Sequence, residues 1–220
     1  MKSITVMNAK RKQAGFTIIE LVVVILLLGI LTATALPRFM DVTDEAHNAV
    51  VDAVTGGFTT GVALFRAQWV GEGQPLSSVT DSPGFNLYAS TTGYPRSATL
   101  TNSTVATVTS TNVCLDVYNS ILQAGGRPGI TVATGLAADN AATREGAVET
   151  AAAAATTADF VAVLDRDNAT PTVATNTCKY YYVGQNRAGT STATVSIPVI
   201  SYNYVTGVTS RLTNVTFDQD

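Results

Sequence analysis

Polar and apolar positions divide this chain of 220 residues into stretches of different character. A short polar leader ends at Ala14-Gly15. From Phe16 to Leu36 about 21 residues are almost wholly apolar, and at about 1.5 Å per residue they just span a hydrocarbon core. After Pro37 the pattern turns amphipathic. Phe39, Val42, Ala46, Val50, Val54, Phe58, Val62, Phe65 and Trp69 recur at spacings of three or four, with Arg38, Asp41, Asp44, Glu45, Asp52 and Arg66 at other positions. Gly71 and Gly73 supply a stop. Read as one helix, Phe16 to Val70 runs for about 80 Å. One small domain cannot cover such a rod, so lipid or copies of the same chain must cover its first half.

Beyond the rod the pattern predicts a separate fold. Residues 71–112 are rich in Gly, Ser, Thr and Pro and read as a loop with short strands. Thr111-Asn112 cap a short amphipathic helix, Val113 to Ala124, which Gly125-Gly126 end. Residues 128–158 are rich in Ala and Thr and carry no strong signal; they read as a surface excursion or as partly helical. Phe160 to Leu164, Cys178 to Val183, Thr194 to Tyr204 and Val208 to Phe217 read as strands, with Thr206-Gly207 as a tight turn. The expected class is α+β: a long N-terminal helix packed on an antiparallel sheet of about four strands.

One full charge, Glu20, stands inside the apolar run, where a carboxylate in lipid costs roughly 2.5 kcal/mol or more. Before the run lie Lys2, Lys10, Arg11 and Lys12 and no acidic residue. An ordinary secretory signal fits poorly: the charges abut the apolar run, the run is long, and only Thr32-Ala33-Thr34-Ala35 approaches a cleavage site. Gly15-Phe16-Thr17-Ile18-Ile19-Glu20, with its basic leader and apolar helix, resembles the class III leader of type IV pilins and the related pseudopilins. The resemblance implies cleavage after Gly15 and methylation of the new amino terminus at Phe16. That amine, with an ordinary pKa of about 7.7 to 8.0, would be mostly cationic and one helical turn from Glu20. Supplied by the same subunit or by a neighbour, it would compensate the carboxylate, so Glu20, beside Thr17, is expected to set the register between stacked chains. The plainer reading is a glutamate that only caps the helix start.

The family also implies that the helix can loosen between Gly29 and Pro37, since proline lacks a donor and clashes with the preceding turn. A simple bend at Pro37 is the alternative. The division expected is a leader at 1–15, a transmembrane or filament-core helix at 16–36, an amphipathic helix at 37–70 and a head at 71–220. Ala35-Leu36-Pro37-Arg38-Phe39, Arg66-Ala67-Gln68-Trp69, Gly93-Tyr94-Pro95 and Cys178-Lys179-Tyr180-Tyr181-Tyr182 resemble the mannose-sensitive haemagglutinin (MSHA) pilins, in particular their MshB-like branch.

Charge and cysteines fit a surface protein. The formal charge is −3; without the leader, 9 basic and 16 acidic residues leave −7, and no nucleic-acid partner is expected. The basic leader puts the following chain on the far side of the membrane. Cys114 and Cys178 then lie in an oxidising compartment and are expected to pair as a disulfide.

Enzyme chemistry finds no foothold. There is no GxSxG, HExxH, Walker loop or GxGxxG, and His47 stands alone on the long helix as a surface or interface residue. Asp165, Asp167 and Asn168 could offer oxygens to calcium, but the glycine and distal glutamate of an EF-hand are missing, so a solvated turn is preferred and no metal or cofactor is expected. Tyr180, Tyr181, Tyr182, Tyr202 and Tyr204 are expected to divide between core and outer face, where exposed rings could stack on a surface glycan. Asn102, Asn168 and Asn214 sit in eukaryotic-type sequons and are read as chance.

The function expected from the resemblance is a structural subunit of a type IV, MSHA-like pilus of a Gram-negative bacterium. It would be held in the inner membrane as a precursor, processed by a prepilin peptidase, and assembled by an ATPase and a platform protein into a homo-oligomeric helical filament for adhesion or motility. The alternatives are a type II secretion pseudopilin and an unprocessed single-pass periplasmic binding protein.

Overall fold

The computed structural model describes residues 16–74, 85, 87–97, 112–133, 141–155, 157–166, 174–184 and 195–217. The leader, most of the loop at 71–112 and the Asp167-Asn168 turn lie outside these residues. Two compact units divide the chain, one ending at Asp44 and the other running from Glu45 to Asp220. Helix α1, Ile18–Gly71, is a single element of 54 residues with Pro37 inside it.

The second unit forms its core around α1. Val51, Val54, Phe58, Val62, Phe65 and Trp69 are buried, at spacings of three and four. Five of these match the predicted stripe. At the sixth position the structure buries Val51, three residues before Val54, and leaves Val50, four residues before it, exposed. The glycine stop is a Schellman motif: Gln74 N–H donates to the Trp69 carbonyl and Gly73 N–H to that of Val70, with Gly73 at φ 84°.

The sheet runs β3 (Ile130–Val132), β4 (Phe160–Arg166), β5 (Ala174–Tyr182), β6 (Val195–Asn203), β7 (Thr209–Phe217) in spatial order. Strands β4 to β7 pair antiparallel, as expected. The fifth, β3, pairs parallel with β4, so the sheet is mixed. A parallel pair needs a long crossover, and the Ala- and Thr-rich stretch supplies it as helix α3, Ala141–Ala154. Alanine has the highest helix propensity, which suits a segment with little amphipathic pattern. A small hairpin, β1 (Tyr88–Ala89) with β2 (Pro95–Ser97), completes the strands.

Helix α2, Asn112–Ile121, buries Val113, Cys114, Val117, Tyr118 and Ile121. It ends at Ile121 rather than at the predicted Ala124, where Arg127 donates to the Asn119 and Leu122 carbonyls left open at the helix end. Cys114 and Cys178 form the expected disulfide, tying α2 to β5 across 64 residues of sequence. An aromatic cluster fills the space between helices and sheet: Phe58 packs on Tyr180 and Tyr202, Tyr118 on Phe160 and Tyr180, and Phe160 on Tyr182.

The predicted division of the tyrosines is corrected. Tyr180, Tyr181, Tyr182, Tyr202 and Tyr204 are all buried. Alternation puts Tyr181 opposite Tyr180 and Tyr182, so both faces of β5 are covered. Val161 and Val163, opposite Phe160 and Leu164 on β4, are buried too, and α3 packs on β3 and β4. None of these five rings is available to stack on a sugar.

Three sequence blocks that lie far apart meet at the end of α1. The Arg66 guanidinium lies 4.5 Å from the ring centre of Trp69 and 4.9 Å from that of Tyr94, and donates to the Thr92 carbonyl. Gly93, at φ 83°, lies so close to Arg66 and Trp69 that a side chain there would strike both. Gly207, at φ 72° in the turn between β6 and β7, is pressed in the same way against Tyr94. That turn is longer than the predicted Thr206-Gly207: Asn203 Oδ1 accepts from Val205 and Thr206 N–H.

Candidate assembly site

The start of α1 is built by local hydrogen bonds. Thr17 N–H and Thr17 Oγ1–H each donate to Glu20 Oε2 at 3.0 Å, and Glu20 N–H donates back to Thr17 Oγ1 at 3.3 Å. This is a capping box, in which a threonine N-cap and a glutamate three residues on satisfy each other's orphan donors. Within one chain Glu20 therefore has partners, and the plainer reading of the motif, a helix cap, is present. Phe16 occupies the position before the cap and is 92 % exposed.

From this cap the apolar surface is open on every side. The helix is long and apolar enough to cross a membrane over Ile18–Phe39, and none of that window is buried. Each large apolar side chain from Leu21 to Leu31 is 47–63 % exposed. No polar residue interrupts Leu21 to Leu31, so the segment presents an apolar surface on every side and no single docking face. Such a helix needs lipid or several neighbours.

The interval from Gly29 to Pro37 collects groups that weaken helical bonding. Thr32 Oγ1–H donates to the Leu28 carbonyl at 2.7 Å, and Thr34 Oγ1–H to those of Ile30 and Leu31. These back-bonds compete with the ladder and favour bending. Pro37 has no N–H to give, and nothing lies within 4 Å of where a side chain at Gly29 would start. The helix is nevertheless continuous through both residues.

Four members of the predicted stripe are exposed, Phe39 at 71 %, Val42 at 62 %, and Ala46 and Val50 after them. They are apolar at helical spacing, but the head's own core starts only at Val51. Lower on α1, Gly57 and Gly61 let α2 come close. A side chain at Gly61 would start 2.5 Å from Ile121, and one at Gly57 would start 3.3 Å from Leu122. This small-xxx-small pair was readable in the sequence and was missed.

Polar groups elsewhere in the head are committed to the fold. His47 Nδ1 lies 2.6 Å from the hydroxyl of Tyr182. Arg211 of β7 holds Asp52 and Asn48 of α1. Asp165, the described member of the candidate calcium set, sits in β4 with Lys179 Nζ at 2.8 Å. Burial pushes the hydroxyls of Tyr118, Tyr180, Tyr202 and Tyr204 above the ordinary tyrosine range. The Tyr180 hydroxyl donates to the Cys114 carbonyl and that of Tyr202 to the Pro95 carbonyl. Among the described residues no group of three or more His, Cys, Asp or Glu could hold a metal ion.

Residues 10–36 match the prokaryotic N-terminal methylation motif. The chain is 46 % identical over 57 residues to the type IV narrow pilus major component PilA5 of Thermus thermophilus, an alignment covering 26 % of this chain and 49 % of that one. The chain thus spans about half the length of the curated relative it matches. No solved structure matches. The chain is type-IV-pilin-like, with a methylation motif, a long apolar N-terminal helix and an α+β head.

Proposed function

We propose that this chain is a structural subunit of a type IV pilus, anchored in the membrane by α1 before assembly and drawn into a homo-oligomeric filament afterwards. The observation that carries the proposal is the all-round exposure of the apolar helix directly behind a methylation motif. A rod with no bare face to spare is at rest only in lipid or among several like rods. The PilA-type relative, itself a pilus component by name, supports the same reading.

Processing after Gly15 would leave Phe16 as the methylated first residue. Its cationic amine would sit beside a Glu20 that Thr17 already holds in place. A neighbour's amine reaching the same carboxylate would fix the stagger between chains, and such buried pairs serve register better than stability. The Gly29 to Pro37 interval is where α1 would stretch or bend as it leaves lipid. The four-part division at residues 15, 36 and 70 follows from these roles.

The MSHA-like assignment, the Gram-negative envelope, the assembly ATPase with its platform protein, and a glycan ligand rest on the resemblance of short sequence blocks. Two of those blocks, Arg66–Trp69 and Gly93–Pro95, pack together, which accounts for their joint presence without choosing a branch. For a glycan, the five strand tyrosines offer no support. The calcium-binding pseudopilin reading loses Asp165 to Lys179.

Intact-mass measurement of protein sheared from cells tests the proposal. A chain beginning at Phe16 and heavier by one methyl group is expected. A sheared or membrane-bound form that still carries residues 1–15 as its mature state would contradict it.

A further inference from the structure

The half-buried cations Arg66, Arg127, Lys179 and Arg211 each have an oxygen partner. Arg96, in β2, lies deeper: it is 8 % exposed and is the one buried charged residue among the described residues. Its Nε is covered and has no hydrogen-bond partner. Its terminal nitrogens keep some exposure and meet no acceptor among the described residues. What faces the guanidinium is the ring of Tyr204, with its centre 5.7 Å away. A ring face compensates a cation only in part.

Two further polar atoms stand unpaired in the same part of the head. Tyr204 is 2 % exposed, and its hydroxyl is covered without a partner. The Thr209 hydroxyl oxygen is covered and unpaired as well. Thr209 pairs across the ladder with Tyr202 and so shares its face of the sheet. The Tyr202 hydroxyl donates to the Pro95 carbonyl, which turns that face toward β2. Arg96, Tyr204 and Thr209 therefore border the place where β2 meets the turn between β6 and β7. Thr92 Oγ1–H donates to the Val205 carbonyl and joins hairpin to turn there. Buried polar atoms are nearly always paired, so three orphans in one region call for an occupant.

We propose that Arg96, with the hydroxyls of Tyr204 and Thr209, forms a binding site for a carboxylate ligand. Arginine has donors and no acceptor, so the occupant must accept. Its Nε–H and the neighbouring terminal N–H make a planar fork that fits the two oxygens of a carboxylate. Charge narrows the class further. One negative charge balances Arg96, whereas a doubly charged sulfate or phosphate would leave excess charge out of water. The ligand reaches the site from the side of the terminal nitrogens. Asp116, which accepts from the Ser97 hydroxyl, is engaged on the next residue of β2. This site stands apart from the filament reading and does not depend on it.

The test uses the full-length chain dispersed in a non-ionic detergent and labelled with nitrogen-15 arginine. The Arg96 Nε–H signal is identified by its loss in Arg96→Lys. Sodium acetate and sodium glucuronate are titrated in turn, against sodium chloride and sodium sulfate at equal ionic strength. Both carboxylates are expected to move the Arg96 signal saturably and to raise the melting temperature of the head by mass action. Tighter binding of glucuronate assigns a sugar acid, and tighter binding of acetate a small free acid. Tyr204→Phe, which keeps the ring, is expected to weaken binding about tenfold, and Thr209→Val about threefold. Arg96→Lys keeps the charge but lacks the fork and should lose the thermal response; if it does not fold, Tyr204→Phe decides. No saturable response to either carboxylate, an equal response to chloride or sulfate, or unchanged affinity in Tyr204→Phe overturns the proposal.

Discussion

Helix α1 contains two apolar stretches that meet opposite fates. Between Val51 and Trp69 six side chains are no more than 6 % exposed, while between Leu21 and Leu31 none of the large apolar side chains is less than 47 % exposed. The difference lies in what stands between the apolar positions. In the lower stretch Asp52, Thr55, Thr59 and Arg66 interrupt the pattern, so one face is apolar and the head's own sheet and α2 satisfy it. The upper stretch has no polar interruption from Leu21 to Leu31. Amphipathicity specifies a docking face; uniform apolarity specifies surroundings.

Removing an anchor from the lower stretch should have the largest effect. Phe58→Ala leaves a cavity beneath Tyr180 and Tyr202 and is expected to cost about 3–5 kcal/mol, read from the denaturation midpoint of the detergent-solubilised chain. The matching change in the upper stretch, Leu26→Ala, should leave that midpoint in place. A shift of similar size from both substitutions would break the distinction.

Replacing Cys114 and Cys178 together by alanine comes next. The disulfide joins α2 to β5 within the head, and its loss is expected to cost about 2–5 kcal/mol by the same measurement. Membrane insertion, monitored by carbonate extraction, should not change, because the apolar segment owes nothing to this bond.

Alkaline pH sharpens the same contrast. Burial raises the hydroxyls of Tyr118, Tyr180, Tyr202 and Tyr204 above their unfolded value of about 10. A raised tyrosine favours the neutral form in the fold. Its stabilising contribution is complete below about pH 10 and declines as pH rises toward the folded value. The head should therefore melt at progressively lower temperature above about pH 10, with the phenolate absorbance of these four tyrosines appearing only as it unfolds. Phenolate signal from all eight tyrosines at pH 10 with the head still folded would contradict the buried cluster.

The smallest effect belongs to the cap. Thr17→Ala removes one half of the capping box and is expected to cost about 1 kcal/mol of local helix stability, seen as faster amide exchange over residues 18–21. The head's midpoint should stay fixed.

How much of this was readable in the sequence differs between the same two regions. The apolar run, the capping pair and the core stripe were visible because each depends on neighbours three or four residues away. The choice of Val51 over Val50 was not, since two adjacent valines are equivalent until the sheet fixes the helix rotation. The parallel strand β3 is three residues long, and half of its crossover α3 is alanine on no one face, so neither carries a period to read. The tyrosine division failed for a related reason: alternation assumes one wet face, and here both faces of the sheet centre are covered. The Arg66, Gly93 and Gly207 cluster joins three blocks separated by up to 141 positions, a proximity no local pattern encodes.

The central claim is that the apolar N-terminal part of α1 is complete only when other copies surround it. Electron cryomicroscopy of the native filament addresses it most directly. The account predicts density in which Val22 to Leu31 are enclosed by helices of neighbouring subunits, with the β sheet on the outside. A fibre in which those residues face solvent, or a surface structure from which this chain is missing, would contradict it.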